Sequence, residues 1–457
     1  MDWPPLNSLP ELVNMAVDNI RLFMYPIPPE LVEKIDFDLN ATPGRWPGSA
    51  QRKKHPWMDL EPVFWKQFPH YMWTSDPERA NFFVIPHTVH AHRVARDTLP
   101  IAREHLSQGL VKLLHWIYFA QPYFNRTGGK NHVIAWVAET GMKCDCILRS
   151  ALAREPLAWQ MLGTLIRVGY WAHEDVDTFG WRADVDIAVP QWGAAGLSWP
   201  PPPTWQTVVA SRTKWALGFK GSYWGSAYTC SAVGSLGLDR AHCSCSPGVR
   251  TWLQGYMSAM CANKSTSSGL HRAAVAAAAN GTGTGMAGRC SNDPDQNAMG
   301  SAWYALCPAA WACWSSRLYH AIDRLVIPVI MADGALQPFE SIFDWRRFSI
   351  KMNVSKLTQW RMGNANARTA LDDLYEEALA TAHHCATCPT CEQCASIGLV
   401  KRVRRLERVR RWLLYNSSTT ESVVGLVALE LYCRQLWRTG ESKAPCRRVQ
   451  QQVSPRT

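Results

Sequence analysis

Four cysteines, Cys385, Cys388, Cys391 and Cys394, recur at three-residue steps directly after His383 and His384. Thiolates and imidazoles at such spacing can hold zinc or an iron–sulfur cluster, but no second cysteine cluster completes a ferredoxin pattern. HCATCPTCEQC thus reads either as a metal site or as an inserted loop. His87, His90 and His92 follow a strand-like run, where a loop would face a cleft; with no Cys or carboxylate partner evident, a polar or ligand-contacting loop is preferred over zinc. Two Asp-x-Asp pairs, Asp175 with Asp177 and Asp184 with Asp186, offer the oxygen ligands that divalent cations use. Metal is not assigned to them, because both precede the inferred domain boundary. Lys401 to Tyr415, KRVRRLERVRRWLLY, sets Val403, Leu406, Val409 and Leu413 at helical spacing with arginine over the rest. Such a helix can meet nucleic acid or an anionic membrane surface; the plainer expectation is a solvated face whose apolar stripe packs on the second half of the chain.

The elements that must position these groups follow from composition and periodicity. With 457 residues, 47% of them hydrophobic and 19% charged, the chain can bury two cores plus a tail. A formal charge of +11 favours acidic partners without choosing among sugar nucleotides, anionic glycans, nucleic acid and anionic lipid. The 23 Trp suit stacking on sugar rings or bases, although core filling is the commoner use of an indole. Fifteen Cys in a chain of this length exclude a small disulfide scaffold while leaving individual pairs possible. The opening residues show neither a basic leader nor a long apolar run, so neither a signal nor an anchor is expected in the chain as given, and no stretch reaches the roughly 18 apolar residues of a membrane span. Sequons at Asn40, Asn125, Asn263, Asn280, Asn353 and Asn416 are compatible with secretory passage.

NIRLFMY (Asn19 to Tyr25) and ANFFVIPH (Ala80 to His87) read as buried strands, each stopped by proline. Arg103 to Phe119 reads as an amphipathic helix, PYFNRTGGKNH as a turn, and VIAWVAE as the next strand. DVDIAVP (Asp184 to Pro190) reads as a further strand, and the proline run in GAAGLSWPPPPTW marks the domain boundary. A second alternating half begins with TKWALGFKGS and resumes, after an Ala/Gly/Ser/Thr-rich stretch, with SAWYALCP, a helical SSRLYHAIDR, a strand VIPVIMAD and the turn GALQPFE. The units inferred are residues 15–200, residues 205–375 with an irregular insertion at about 257–300, and residues 376–457 as a Cys-rich insertion and basic helical tail. Periodicity alone yields a two-domain α/β protein with an interdomain pocket, since no Walker loop or GxGxxG fingerprint names a nucleotide.

Several of these segments, in order from Ile20 to Met352, resemble the exostosin family, family 47 of the glycosyltransferases. IRLFMYPIPPEL is similar to its opening strand and proline turn, TSDPERANFFVIP to its Thr-x-Asp-Pro-Glu-x-Ala strand entry, and PYFNRTGGKNH to its Pro-Tyr-Trp-Asn-Arg-Ser/Thr-Gly-Gly segment. YALCPAAWACWSSRLYHAIDRLVIPVIMADGALQPFESIFDWRRFSI is similar to its Cys-Pro, Ser-x-Arg-Leu, Ile-Pro-Val-Ile and Pro-Phe signature. Within it, WACWSSRL looks closest to the form found in the plant and algal xylan-synthesis group. The resemblance implies a GT-B-like α/β fold of two Rossmann-like domains facing a cleft, here with a helical C-terminal tail. It also implies inversion at the anomeric carbon, a UDP-sugar donor held by the second domain and a glycan acceptor held by the first, with Golgi localisation.

On that resemblance the leaving diphosphate falls to Arg317, inside the SSRL helix, and to Arg250 in PGVR, with no cofactor or metal required. Ser315 and Ser316 can cap the helix or bond a phosphate oxygen, and Asp333 can bond a ribose or sugar hydroxyl or begin a turn with Gly334. Three features depart from the family. His320 stands where a ribose-binding Glu is usual, Ala138 and Glu139 replace a His-Asp pair, and Leu325 replaces a glycine. Glu139 is the candidate general base, its carboxylate displaced by about one C–C bond. Two readings stay open: a transferase acting on a polysaccharide or glycoprotein glycan, and a weak or inactive exostosin-like protein that binds glycan or supports a related transferase subunit. Nucleic acid is a distant third partner.

Overall fold

The computed structural model describes residues 5–35, 60–87, 100–136, 152, 154–170, 172–176, 180–191, 203–212, 215–218, 249, 252–253, 302–309, 315–354, 366–386, 391–415, 420–441 and 445–446. Their frame is a pair of parallel sheets. The first holds β1 (Leu22–Met24), β2 (Phe82–Val84), β3 (His132–Trp136), β4 (Ile166–Gly169) and β5 (Ile187–Ala188) in that spatial order. The second holds β6 (Trp215–Gly218), β7 (Ala302–Pro308), β8 (Ile327–Met331) and β9 (Ile350–Lys351). The mixed α/β class with parallel sheets is as expected. Among the described residues, spatial order equals chain order in both sheets, without the reversal that fixes the ligand crevice of a doubly wound sheet.

Parallel neighbours need crossovers, and helices supply them: α1 (Leu9–Asn19) precedes β1, α2 (Pro100–Ala120) and α3 (Pro122–Thr127) link β2 to β3, and α4 (Pro156–Thr164) leads into β4. Continuous apolar runs make the strands, because both sheet faces are covered. Phe82, Val84, Val133 and Ala135 point into one core, whereas Phe83, Ile85, Ile134 and Trp136 point into the other with Leu110, Leu113, Leu114 and Ile117 of α2. PYFNRTGG, read from sequence as a turn, begins as the helix α3. Pro122 occupies its first turn, where a missing N–H costs nothing, and Gly128 ends it in the left-handed region at φ 58°.

The strand expected over Asp184 to Pro190 is confined to β5. Val185 and Asp186 donate their N–H groups to the Arg182 carbonyl at 3.0 and 2.7 Å, a turn that uses the backbone a ladder would need. The Asp186 carboxylate is fully enclosed, accepting from the Arg167 N–H, the Arg167 side chain, and the N–H and side chain of Arg182. Burial by itself would raise this carboxyl; Arg167 and Arg182 hold it below the usual carboxylate range. Asp186 is therefore a structural anion at the entrance to β5 and is spent as a metal ligand.

Further along the chain, α5 (Trp205–Ser211) precedes β6, and α6 (Ser316–Asp323) joins β7 to β8. Three long helices follow: α7 (Asn366–Cys385), α8 (Gly398–Arg410) and α9 (Val423–Thr439). In α8, Val403, Leu406 and Val409 are buried against the second sheet and its helices, as the spacing predicts. Its arginines are partly committed: Arg402 donates to the carbonyls of Arg346 (2.7 Å) and Ser349 (3.2 Å), Arg410 to those of Pro203 and Asp323 (both 3.2 Å), and Arg404 lies 5.1 Å over Trp205.

Helix α9 returns to the first half and packs on α1, an element the hydropathy pattern did not single out. Gly425 permits the approach, since a Cβ there would stand 2.7 Å from Val13 Cγ1 and 1.9 Å from the Thr420 carbonyl oxygen. Arg434 pairs with Glu430 and donates to the carbonyls of Val185 and Asp186, tying α9 to β5. Within HCATCPTCEQC, Cys385 and Cys394 form a disulfide, and Cys433 is joined to Cys446. No cluster of three or more His, Cys, Asp or Glu with metal-binding geometry occurs among the described residues. No helix there is long and apolar enough to cross a membrane. Trp65, Trp303 and Trp412 are fully buried, the core use of indole.

Candidate functional site

Strand β7 is buried along its whole length and delivers the chain to the amino end of α6. Ser315 stands at the N-cap in extended backbone, buried, with its hydroxyl turned from the capping role; its Oγ accepts from Nη1 of Arg317 at 3.2 Å. Burial lowers the Arg317 pKa, opposed by the Cys307 thiol nearby. Cys307, on β7, is itself buried and pushed up to about 12, so it stays a neutral thiol at physiological pH. His320 follows Arg317 by three residues on the same helix and is half-buried. A serine hydroxyl, a guanidinium and the positive end of a helix dipole thus converge beyond the carboxyl end of β7, an arrangement suited to an anion.

The far end of α6 explains one departure noted above. The Val326 N–H reaches the Ala321 carbonyl at 2.8 Å and the Leu325 N–H reaches that of Ile322 at 3.0 Å, the paired bonds of a Schellman stop. Leu325 holds the left-handed position at φ 57°, where glycine is usual, while its side chain is wholly buried. Arg212, also buried, donates to the carbonyls of Leu325 (3.1 Å) and Arg324 (2.9 Å) and lies 5.6 Å from the Trp303 ring. Desolvation brings its pKa down to about 9.

Asp333 follows β8 and is engaged in holding the turn: its carboxylate accepts from the Val354 N–H at 2.5 Å, and Gly334 beside it adopts φ 67°. Its carbonyl accepts from Nε2 of His173 at 3.0 Å, and His173 Nδ1 accepts from the Asp175 N–H at 2.9 Å. Those two bonds fix a neutral tautomer, and burial lowers the His173 pKa. The Glu174 N–H donates to Gly334 at 2.8 Å and the Leu336 N–H to Ala172 at 3.1 Å, so the loop after β4 is laced to the loop after β8. His173 was missed in the sequence. Its signal is only a polar residue after a strand, with a glycine in the facing turn whose hypothetical Cβ would sit 2.4 Å from the imidazole.

The structure thus brings Ser315, Arg317 and His320 together on α6 and places Asp333 at the end of the next strand. Ser316 begins that helix, its side chain outside the described residues; Glu139, Ala138 and Arg250 also lie outside them. Of the histidines after β2, His87 is buried, donates Nε2–H to the Ala135 carbonyl at 2.7 Å and stacks on Trp136, which makes it a packing residue. His90, His92 and Cys388 fall outside the described residues.

Residues 250–365 match the exostosin GT47 domain. This exostosin segment encloses Arg250, Ser315, Arg317, His320, Leu325 and Asp333, hence every donor-side candidate, and leaves out Glu139. Curated relatives align over shorter stretches. A probable glucuronosyltransferase of Oryza sativa subsp. japonica is 39% identical over 54 residues, 12% of this chain and 13% of that protein. A probable glucuronoxylan glucuronosyltransferase of Arabidopsis thaliana is 32% identical over 79 residues, 17% of each chain. A probable beta-1,4-xylosyltransferase of the same plant is 40% identical over 52 residues, 11% of this chain and 12% of the relative. The chain therefore matches well under a fifth of the length of each of these relatives.

Proposed function

We propose that the chain is a glycosyltransferase that moves a sugar, with inversion, from a UDP-sugar to a polysaccharide or glycoprotein glycan. The observation that carries the reading is the contact of half-buried Arg317 with buried Ser315 at the amino end of α6, inside the exostosin-matched segment. Departure of UDP builds negative charge on the diphosphate, and a fixed guanidinium with helix N–H groups stabilises that charge without waiting for solvent to reorganise. Arg250 adds a second positive charge, His320 bonds the nucleotide ribose as donor or acceptor, Asp333 adjoins the donor sugar, and Glu139 takes the proton from the acceptor hydroxyl. The two disulfides favour an oxidising compartment, in keeping with the Golgi location implied by the resemblance. Titration with UDP tests the donor site. Arg317→Met is expected to weaken UDP binding about tenfold or more with the unfolding transition retained, and a wild-type chain that binds no UDP at millimolar concentration would overturn the reading.

Two observations favour a second reading, an exostosin-like protein that binds glycan or supports an active subunit: the Asp333 carboxylate is already engaged by Val354, and His320 lacks the paired acceptor oxygens of a carboxylate. His320→Glu separates the two. A gain in UDP affinity marks position 320 as a weakened ribose contact, and UDP-sugar turnover by the wild-type chain excludes the inactive form.

A further inference from the structure

At the amino ends of β3, β4 and β5, opposite the strand ends discussed so far, the first sheet and α9 border a cavity of about 390 Å³ that opens to solvent. Lys130, Arg182, Arg434 and Arg438 line it together with Asp184 and Trp437. Two of the four cations are satisfied internally, Arg182 by Asp186 and Arg434 by Glu430. Lys130 and Arg438 have no carboxylate partner among the described residues, although they adjoin, Arg438 donating to the Lys130 carbonyl at 2.8 Å. They leave two positive charges at the cavity wall without a carboxylate, the Arg438 guanidinium also lying 5.1 Å over the Phe82 ring. Trp437 is half-buried, with the Arg434 guanidinium 5.7 Å from its ring, and contributes the flat apolar wall.

Gly163 supplies a second observation. It lies in the last turn of α4, takes no left-handed conformation, and a Cβ there would meet nothing within 4 Å. Glycine inside a helix costs about 0.5–1 kcal/mol relative to alanine, and here no packing contact requires it. Gly163 is exposed and stands at the rim of the cavity it helps to line.

We propose that this cavity is a binding site for an acidic sugar unit, a uronate-type residue of a glycan, distinct from the donor site on α6. The carboxylate faces Lys130 and Arg438, as charge-assisted bonds favour. The apolar face of the pyranose ring lies on Trp437, since an indole with an amphipathic neighbour suits a ring that is apolar on one side and hydroxylated at the rim. Asp184 makes the choice between anions: a carboxylate in the wall accepts hydrogen bonds from sugar hydroxyls and repels a second, doubly charged oxyanion such as phosphate. The volume is within the range of small-molecule pockets and admits one or two sugar rings. The glycan class rests on the proposed function, whereas the position, sign and shape of the site do not.

Isothermal titration of the whole chain with a galacturonate trisaccharide tests it, with a neutral glucose trisaccharide and inorganic phosphate as the other arms. The acidic trisaccharide should bind at least tenfold more tightly than the neutral one, and phosphate should compete weakly. Gly163→Leu, which sets a bulky side chain at the cavity rim without removing a contact, and Arg438→Gln should each cost at least tenfold in affinity while UDP binding and the unfolding midpoint hold. Acidic and neutral sugars binding alike, phosphate binding more tightly than the uronate, or unchanged affinity in Gly163→Leu would each overturn the proposal. UDP titration is read separately, so loss of the donor reading leaves this result interpretable.

Discussion

Replacing Leu325 by the glycine usual in the exostosin family sets two effects of known sign against each other. A residue with a Cβ held at φ 57° is strained by about 1–2 kcal/mol, and glycine removes that strain. The same change deletes a wholly buried isobutyl group, for which truncation to alanine costs about 3–5 kcal/mol when the site relaxes only in part. Packing wins: Leu325→Gly is expected to lose about 1–4 kcal/mol. Leu325→Ala keeps the backbone strain and loses the same packing, so it should be less stable than the glycine variant by about 1 kcal/mol. Urea unfolding followed by tryptophan fluorescence gives the midpoints, with equal slopes needed for the comparison. The order Leu, then Gly, then Ala is required. A glycine variant more stable than the wild type would show that the leucine side chain does not compensate the left-handed backbone, and an alanine variant matching glycine would show that the strain is absent.

Three further outcomes follow from contacts described above. Gly334→Ala must leave a favoured left-handed glycine conformation and meet the His173 ring at 2.4 Å, so thermal unfolding should show a loss above about 1 kcal/mol together with a shifted His173 imidazole resonance. His132, stacked among aromatic rings, accepts from the Tyr25 hydroxyl at 2.7 Å and donates to Asn131 at 3.0 Å, and burial brings its pKa down to about 3. The unfolded chain takes up the proton first, near pH 6.5, so stability is full above that pH and falls by about 1.4 kcal/mol per unit as pH drops toward 3; His132→Phe should flatten the stability profile between pH 6.5 and 4.5, and an unchanged slope would refute the assignment. Asp186→Asn leaves buried Arg167 and part-buried Arg182 without their anion and should cost about 3–5 kcal/mol by chemical unfolding, whereas an effect under 1 kcal/mol would show the cluster to be solvated.

Much of the frame was legible because it is written in apolar runs. Strands β2, β3 and β8, helices α2 and α8, and the parallel class all follow from continuous or helically spaced hydrophobic residues. What escaped depended on contacts distant in sequence. β5 is short because Asp186 belongs to two arginines, one of them 19 residues away, and no local pattern states that preference. α3 was hidden by a Gly-Gly pair that ends a helix as readily as it makes a turn. Helix α1 lacks a side-chain cap, and the partner that covers its apolar face lies in α9. On α6, the SSRL signature located Ser315, Arg317 and His320, whereas His173 and the cavity beside Gly163 arise only when two segments are folded together. The Asp-x-Asp pairs show the limit of spacing as a guide: one carboxylate of the second pair is locked in an ion cluster and the other lines a cavity of mixed charge.

The pairing of α1 with α9 has a consequence for synthesis on the ribosome. Thr420, just before α9, bonds Asn14 of α1 across 406 residues of chain. At elongation rates of about 5–20 residues per second, the buried stripe of α1, with Leu9, Val13 and Val17, stands exposed for roughly 20–80 s before its cover exists. The seam between α1 and α9 closes only once the last long helix has been made, so the apolar stripe of α1 is left open while the chain is still growing. A stop codon shortly before residue 423 would strand an otherwise intact sheet with an open seam.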